Sequence, residues 1–227
     1  MKYHVSFDLD FKRNKSKGIY IAFEGIDGCG KTTQAERLTQ YFRSKGMSVV
    51  KTREPRKEGL VGDLVHKVLK GKIKFPTAAL QYLFSTDRVL NQEEIIIPSL
   101  EKGKIVISDR CFWSAVVYGI LDKGKDYYDD SSANQLLVIH SILSMYHQFT
   151  VPDFTFYLKI PLETSLNRLK TKDDTKEIYE DRGKLERVIK NYEGLFDRFK
   201  DEITVIDGTR PVEEITKQII KITEKKL

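Results

Sequence analysis

The residues with the clearest chemical potential are Gly25-Ile26-Asp27-Gly28-Cys29-Gly30-Lys31-Thr32, which fit the spacing G-x-x-x-x-G-K-[ST]. An apolar run precedes them and a segment of helical period follows. In that setting the glycines let the backbone fold so that its N–H groups converge on an anion, and the helix N-terminus adds partial positive charge. Lys31 would reach the outer phosphates of a nucleoside triphosphate, and Thr32, followed by Thr33, would offer its hydroxyl to Mg²⁺. A second polar group, Ser108-Asp109-Arg110, closes another apolar run. There Asp109 can orient Mg²⁺ or its waters, and Arg110 can clamp phosphoryl oxygens with a planar fork of donors. Handling of a nucleotide's phosphates is the chemistry these types imply.

Such side chains need a sheet edge to gather them. From Ile19 onward, short apolar runs alternate with longer segments of helical period, the pattern of a parallel sheet wrapped by helices. Strands are expected at 19–23, 48–52, 104–108, 153–160 and 202–206, and helices at 31–46, 58–71, 77–92, 113–121 and 132–147. Pro161 and Pro211 stand near the first turns of two further helices. The expected class is α/β: a P-loop NTPase three-layer fold, with a five-stranded parallel sheet, helices on both faces and a short lid at the polar, unpatterned segment 170–177. A guanine-reading motif is superficially offered by Thr171-Lys172-Asp173-Asp174, but it does not end a strand and is read as chance.

Composition narrows the class further. The 227 residues suit one domain, and no apolar run approaches the roughly 18 residues of a membrane span. The N-terminus lacks a signal peptide's apolar core, and the two cysteines, Cys29 and Cys111, are too few for a disulfide framework, so a cytoplasmic setting is expected. Five Lys/Arg against two Asp in residues 1–17 account for half of the net charge of +6, which leaves the remainder only mildly basic. Residues 3–11 alternate apolar and polar, as a strand with one buried face would, and 12–17 (KRNKSK) read as a basic linker. Residues 1–17 are therefore taken as an extension to a domain spanning 18–227. The run KRNKSK leaves a nucleic-acid-binding ATPase as a remote alternative.

With these motifs in order, the chain resembles the thymidylate kinase (dTMP kinase) family from about Gly18 to the C-terminus. FEGIDGCGKTTQ, TREP (52–55), LFSTDR (83–88), SDR (108–110) and KEIYED (176–181) carry the resemblance. It implies transfer of the γ-phosphoryl of ATP to dTMP, giving dTDP, with Mg²⁺, in a homodimer, and no membrane or nucleic-acid partner. Position by position, it implies that Asp27 holds the acceptor's 3′-hydroxyl, Arg53 grips its phosphate, and Glu54 helps to place sugar or metal. Phe84 would stack on thymine and Arg88 would reach its O4. Arg110 would bridge donor and acceptor phosphates, and Ser114 and Tyr118 would line the nucleoside pocket. Tyr179 and Glu180 would meet the nucleotide when the lid closes, and Asp207 to Arg210 would border the adenine.

The chain departs from the family at several positions. Arg56 and Lys57 stand where glycines are common, so Arg56 is expected to supplement the acceptor-phosphate site. His66 falls roughly where another phosphate-binding arginine is common. Cys111 replaces an aromatic residue or histidine, which predicts weaker rejection of ribonucleotides. The cradle holds no arginine, so the transition-state cation is sought at the lid, in Arg168 or in Lys170, Lys172 or Lys176. A deoxynucleoside kinase, or a nucleotide kinase of broader specificity, is the nearer alternative.

Overall fold

A computed structural model describes residues 10–123, 142–143, 148–171 and 177–226. Five strands, β1 (Ile19–Glu24), β2 (Val49–Arg53), β3 (Ile105–Asp109), β4 (Phe154–Lys159) and β5 (Thr204–Asp207), form one parallel sheet in the order β2-β3-β1-β4-β5. The central strands β1 and β3 are buried along their whole length, which is why they read as unbroken apolar runs. Their side chains alternate between faces. Tyr20 and Val106 pack with Ile96 and Leu100 in one cluster, whereas Ile21, Ile105 and Ile107 join the main core with Ala35, Leu38 and Phe42.

Helices cover both faces. They are α1 (Lys31–Ser44), α2 (Leu60–Leu69), α3 (Thr77–Asn91), α4 (Ile97–Glu101), α5 (Phe112–Lys123), α6 (Leu162–Lys170), α7 (Arg182–Arg198) and α8 (Val212–Thr223). α3 does not stop at residue 92 as the sequence suggests. It continues through a π-helical turn, Gln92–Ile96, into α4. α7 begins just past the expected lid because the Asp181 side chain accepts from the N–H groups of Gly183 (3.0 Å) and Lys184 (3.3 Å).

Most of the expected helix at 132–147 and of the expected strand at 3–11 lies outside the described residues. From Asp10 the chain straps across the body. Phe11 packs on Phe112, Trp113 and Phe199, Lys12 bridges to Thr150, and Asn14 donates to Asp153 at 2.7 Å.

Candidate active site

The sheet register gathers the site. Phe23 and Arg53 both lie opposite Asp109, so the carboxyl ends of β2, β3 and β1 open side by side. The order of connections reverses at β1, the position where open α/β sheets bind ligands. A cavity of about 780 Å³ lies over this edge, with Asp27, Lys31, Arg53, Phe84, Arg110 and Tyr179 in its wall.

One side of the cavity is an anion cradle. Gly28 and Gly30 hold φ values of 78° and 101°, which open the loop, and α1 starts at Lys31 with no side-chain cap and no acid in its first turn. Its first N–H groups are left for a ligand. The Lys31 ammonium donates to the carbonyls of Gly25 and Ile26, both at 3.0 Å, and lies 3.9 Å from Asp27. Thr32 Oγ1 donates to Asp109 Oδ2 at 2.5 Å. α6 is pinned beneath the cradle: Ser165 donates to the Asp27 carbonyl at 2.6 Å, and Arg168 donates to the carbonyls of Gly28 and Gly208, each at 3.2 Å.

Arg110 stands in the middle. Among the described residues it is the one non-glycine with positive φ (78°). Its Nη2 donates to Asp27 Oδ1 at 2.6 Å and to the Tyr118 hydroxyl at 3.4 Å, and Nη1 donates to Ser114 at 3.0 Å. Burial works against its charge, but Tyr118, Asp27, Tyr192 and Glu24 outweigh burial and raise its pKa further. Its positive charge is therefore permanent.

The opposite wall is built by the turn after β2 and by α3. Glu54 and Arg88 form a buried ion pair at 2.6 Å, and Asn91 donates to the other Glu54 oxygen at 3.3 Å. Burial raises the Glu54 carboxyl although Arg88 opposes it. Glu54 thus positions Arg88 and has little left for a metal. Arg53 also lines the cavity, and its buried Nε lacks a hydrogen-bond partner, as does the buried Nε2 of His66. Burial, then the charge of Arg53, lowers the pKa of His66. The far wall comes from residues 177–180, at and just past the end of the expected lid segment, where the Tyr179 ring meets Tyr118 edge-on at 4.8 Å. Burial and the charge of Asp27 push the Glu177 carboxyl upward.

Thr32 and Asp109 offer only oxygen, which fits Mg²⁺, an ion that binds through one or two protein oxygens while phosphates and waters complete its shell. Among the described residues no three His, Cys, Asp or Glu gather into a cage that could hold a metal ion alone.

The thymidylate kinase family model matches residues 23–219, a span that contains every wall just described. The chain belongs to the thymidylate kinase family. It is an enzyme, a nucleotide-binding transferase of the kinase type. It is 36% identical to the thymidylate kinase of Sulfurihydrogenibium sp. (strain YO3AOP1), over 89% of this chain and 95% of that protein. It is 32% identical to a probable thymidylate kinase of Pyrococcus horikoshii, over 93% and 98%. A solved thymidylate kinase structure from Candida albicans superposes with a TM-score of 0.77 at 26% identity, covering 93% of both chains.

Of the residues that the thymidylate kinase resemblance implicates, Asp27, Gly28, Gly30, Lys31, Thr32, Thr33, Arg53, Glu54, Phe84 and Arg88 line the cavity. So do Asp109, Arg110, Ser114, Tyr118, Arg168, Tyr179 and Glu180. Gly25 and Ile26 contribute their carbonyls to Lys31, and the side chains of Ile26 and Cys29 are buried in the core. Arg56 is turned away from the cavity: it pairs with Asp87 at 3.2 Å and Glu94 at 2.7 Å. Lys57, its neighbour, lines the wall instead. Lys170, Asp207 and Arg210 are not in the wall; Asp207 accepts from Thr209, and Arg210 pairs with Glu214. Lys172 lies outside the described residues.

Cys111 requires a correction. Its buried thiol donates to Glu24 Oε1 at 3.4 Å and does not line the cavity, so its small size does not enlarge that space. Burial raises both cysteine thiols, Cys111 well above its ordinary value, which disfavours the reactive thiolate.

Glu177 and Lys70, which line the cavity, and Glu24, which is buried and does not line it, carry no role in the sequence reading. For Glu24 a signal existed: an acid that closes a wholly apolar strand run must be buried with partners.

Proposed function

We propose that this enzyme transfers the γ-phosphoryl group of ATP to dTMP, giving ADP and dTDP, a step toward dTTP. One observation carries the reading: a single cavity joins an uncapped anion cradle to a second wall bearing a cation with an unpartnered buried Nε, and Arg110 lies between the two.

In this reading the N–H groups of Gly28 to Thr32 hold the donor's phosphates, and Lys31 exchanges its two loop carbonyls for phosphate oxygens. Thr32 and Asp109 would hold Mg²⁺, which when bound draws charge from the transferring phosphoryl group. Arg53 takes the acceptor's phosphate, Phe84 stacks on the base, and Arg88, fixed by Glu54, reads the carbonyl beside it. Asp27 accepts from the sugar's hydroxyl. Arg110 bridges the two phosphates as charge builds between them. Arg168, already anchored at Gly28, supplies the second cation when the lid closes.

Residues 18–227 carry this activity, and residues 1–17 are an extension. We read the enzyme as cytoplasmic, which suits two free buried cysteines. We also read it as a homodimer: Tyr82 and Val89, two turns apart on α3, and Leu60 on α2 are exposed apolar side chains that a second copy would cover. Among the described residues no helix is long and apolar enough to cross a membrane.

The test is coupled ADP release across all nucleoside monophosphates. dTMP should give the highest kcat/KM and be converted stoichiometrically to dTDP. A ribonucleotide used more efficiently than dTMP would sink the proposal.

A further inference from the structure

Arg110 is held from behind as well as in front. Glu24, the last residue of β1, is fully buried, and its carboxylate collects donors from two directions. Oε1 accepts from the backbone N–H groups of Cys111 (2.9 Å) and Ser114 (3.1 Å). Oε2 accepts from the hydroxyls of Ser114 (2.6 Å) and Tyr192 (2.8 Å). A hydroxyl has one proton to give and lone pairs to spare. Having donated to Glu24, these two hydroxyls accept from Nη1 of Arg110, at 3.0 and 3.3 Å. Burial and the charge of Glu24 push the Tyr192 phenol well above its ordinary pKa, so it keeps that proton.

We propose that Glu24 and Tyr192 are positioning residues for Arg110, which aim its guanidinium between the donor and acceptor phosphates without touching either nucleotide. The proposal rests on the reading of Arg110 as the bridging cation. Neither positioning residue lines the cavity. The backbone needs such support: a non-glycine residue at φ 78° is strained and persists only where its surroundings over-determine it. Glu24 supplies that support by tying down the N–H groups of Cys111 and Ser114, which follow Arg110. Tyr192 belongs to α7, the helix that begins just after the lid, so its hydroxyl also links that helix to the Arg110 turn.

Tyr192→Phe isolates the hydroxyl, because the ring's stacking on Tyr157 (5.1 Å) and its contact with Phe196 (5.4 Å) survive. Steady-state kinetics would be measured on the full-length chain for the wild type, Tyr192→Phe, Arg110→Ala and the double variant. We expect Tyr192→Phe to lower kcat roughly 10- to 100-fold with the KM for ATP within about twofold of wild type, as misplacement of a positioned group does. In the Arg110→Ala background the same change should do nothing further, because the hydroxyl acts only through that guanidinium. Glu24→Gln should follow the same pattern. Should it fail to fold, Tyr192→Phe decides alone. Wild-type kcat in Tyr192→Phe, or an equal loss with and without Arg110, overturns the proposal. Wild-type turnover in Arg110→Ala would instead overturn the reading of Arg110 itself, so the two failures are distinguishable.

Discussion

Arg88 and Glu54 pair at a depth where an uncompensated charge would be costly, with side chains only 4% and 3% exposed. Removing one partner of such a pair costs about 3–5 kcal/mol, because the other is left uncompensated. Arg88→Ala should therefore lower stability in urea by roughly 3 kcal/mol, and adding Glu54→Gln should recover a large part of the loss. Additive losses would contradict that pairing. His66 gives a second prediction. Its folded pKa lies below the unfolded value of 6.5, so its contribution to stability is present above pH 6.5 and is lost as the unfolded chain takes up a proton on acidification. The melting temperature of wild type relative to His66→Gln should thus fall between about pH 7.5 and pH 5.5. A constant difference would contradict it. At this scale, Arg53, Phe84 and Arg88 were legible because each sits inside a short motif. Tyr192 was not, because its partner Glu24 lies 168 positions away and only the folded sheet and α7 bring them together.

Elements set the fine position of these groups. Gly62, in the first turn of α2, lies so close to the turn after β2 that an added Cβ would meet the Arg56 carbonyl oxygen at 2.5 Å. Alanine in place of a helical glycine ordinarily gains about 1 kcal/mol. Here Gly62→Ala should push the turn carrying Arg53 and raise the KM for dTMP several-fold, with the KM for ATP unchanged. An unaltered KM for dTMP would show that the contact is slack. α6 governs the other end. Arg168→Ala should lower kcat roughly 10²-fold or more if its guanidinium moves from Gly28 to the transferring phosphoryl group, and a change within about twofold would exclude it. The inner strands β1, β3 and β4 were legible because buried parallel strands are apolar runs with polar ends, and the half-buried edge strands β2 and β5 because short β-branched runs stand between helical segments. The continuation of α3 was not, since Gln92–Ile96 widens to a π-helical turn and Pro98 reads as a stop, although proline is tolerated in the first turn of α4.

Across the whole molecule, the described part of the N-terminal extension is bound to the body and does not behave as a free basic linker. Phe11 sits against Trp113 (5.7 Å) and Phe199 (5.9 Å), and Arg13 forms an ion pair with Glu202. Because Phe11 is only partly buried, Phe11→Ala should cost about 2 kcal/mol, less than a full core deletion, as read by chemical denaturation. No loss would mean that the strap is dispensable. Composition could suggest an apolar period in residues 3–11 but not where Phe11 docks, because that site is assembled from α5 and the end of α7. In the proposed reaction the cavity takes two nucleotides, and therefore an acceptor that already carries a phosphate. Initial rates of ADP release should be measured with dTMP and with thymidine under saturating ATP. Turnover should be rapid with dTMP and near background with thymidine, whereas thymidine consumed as efficiently as dTMP would show that the site needs no acceptor phosphate.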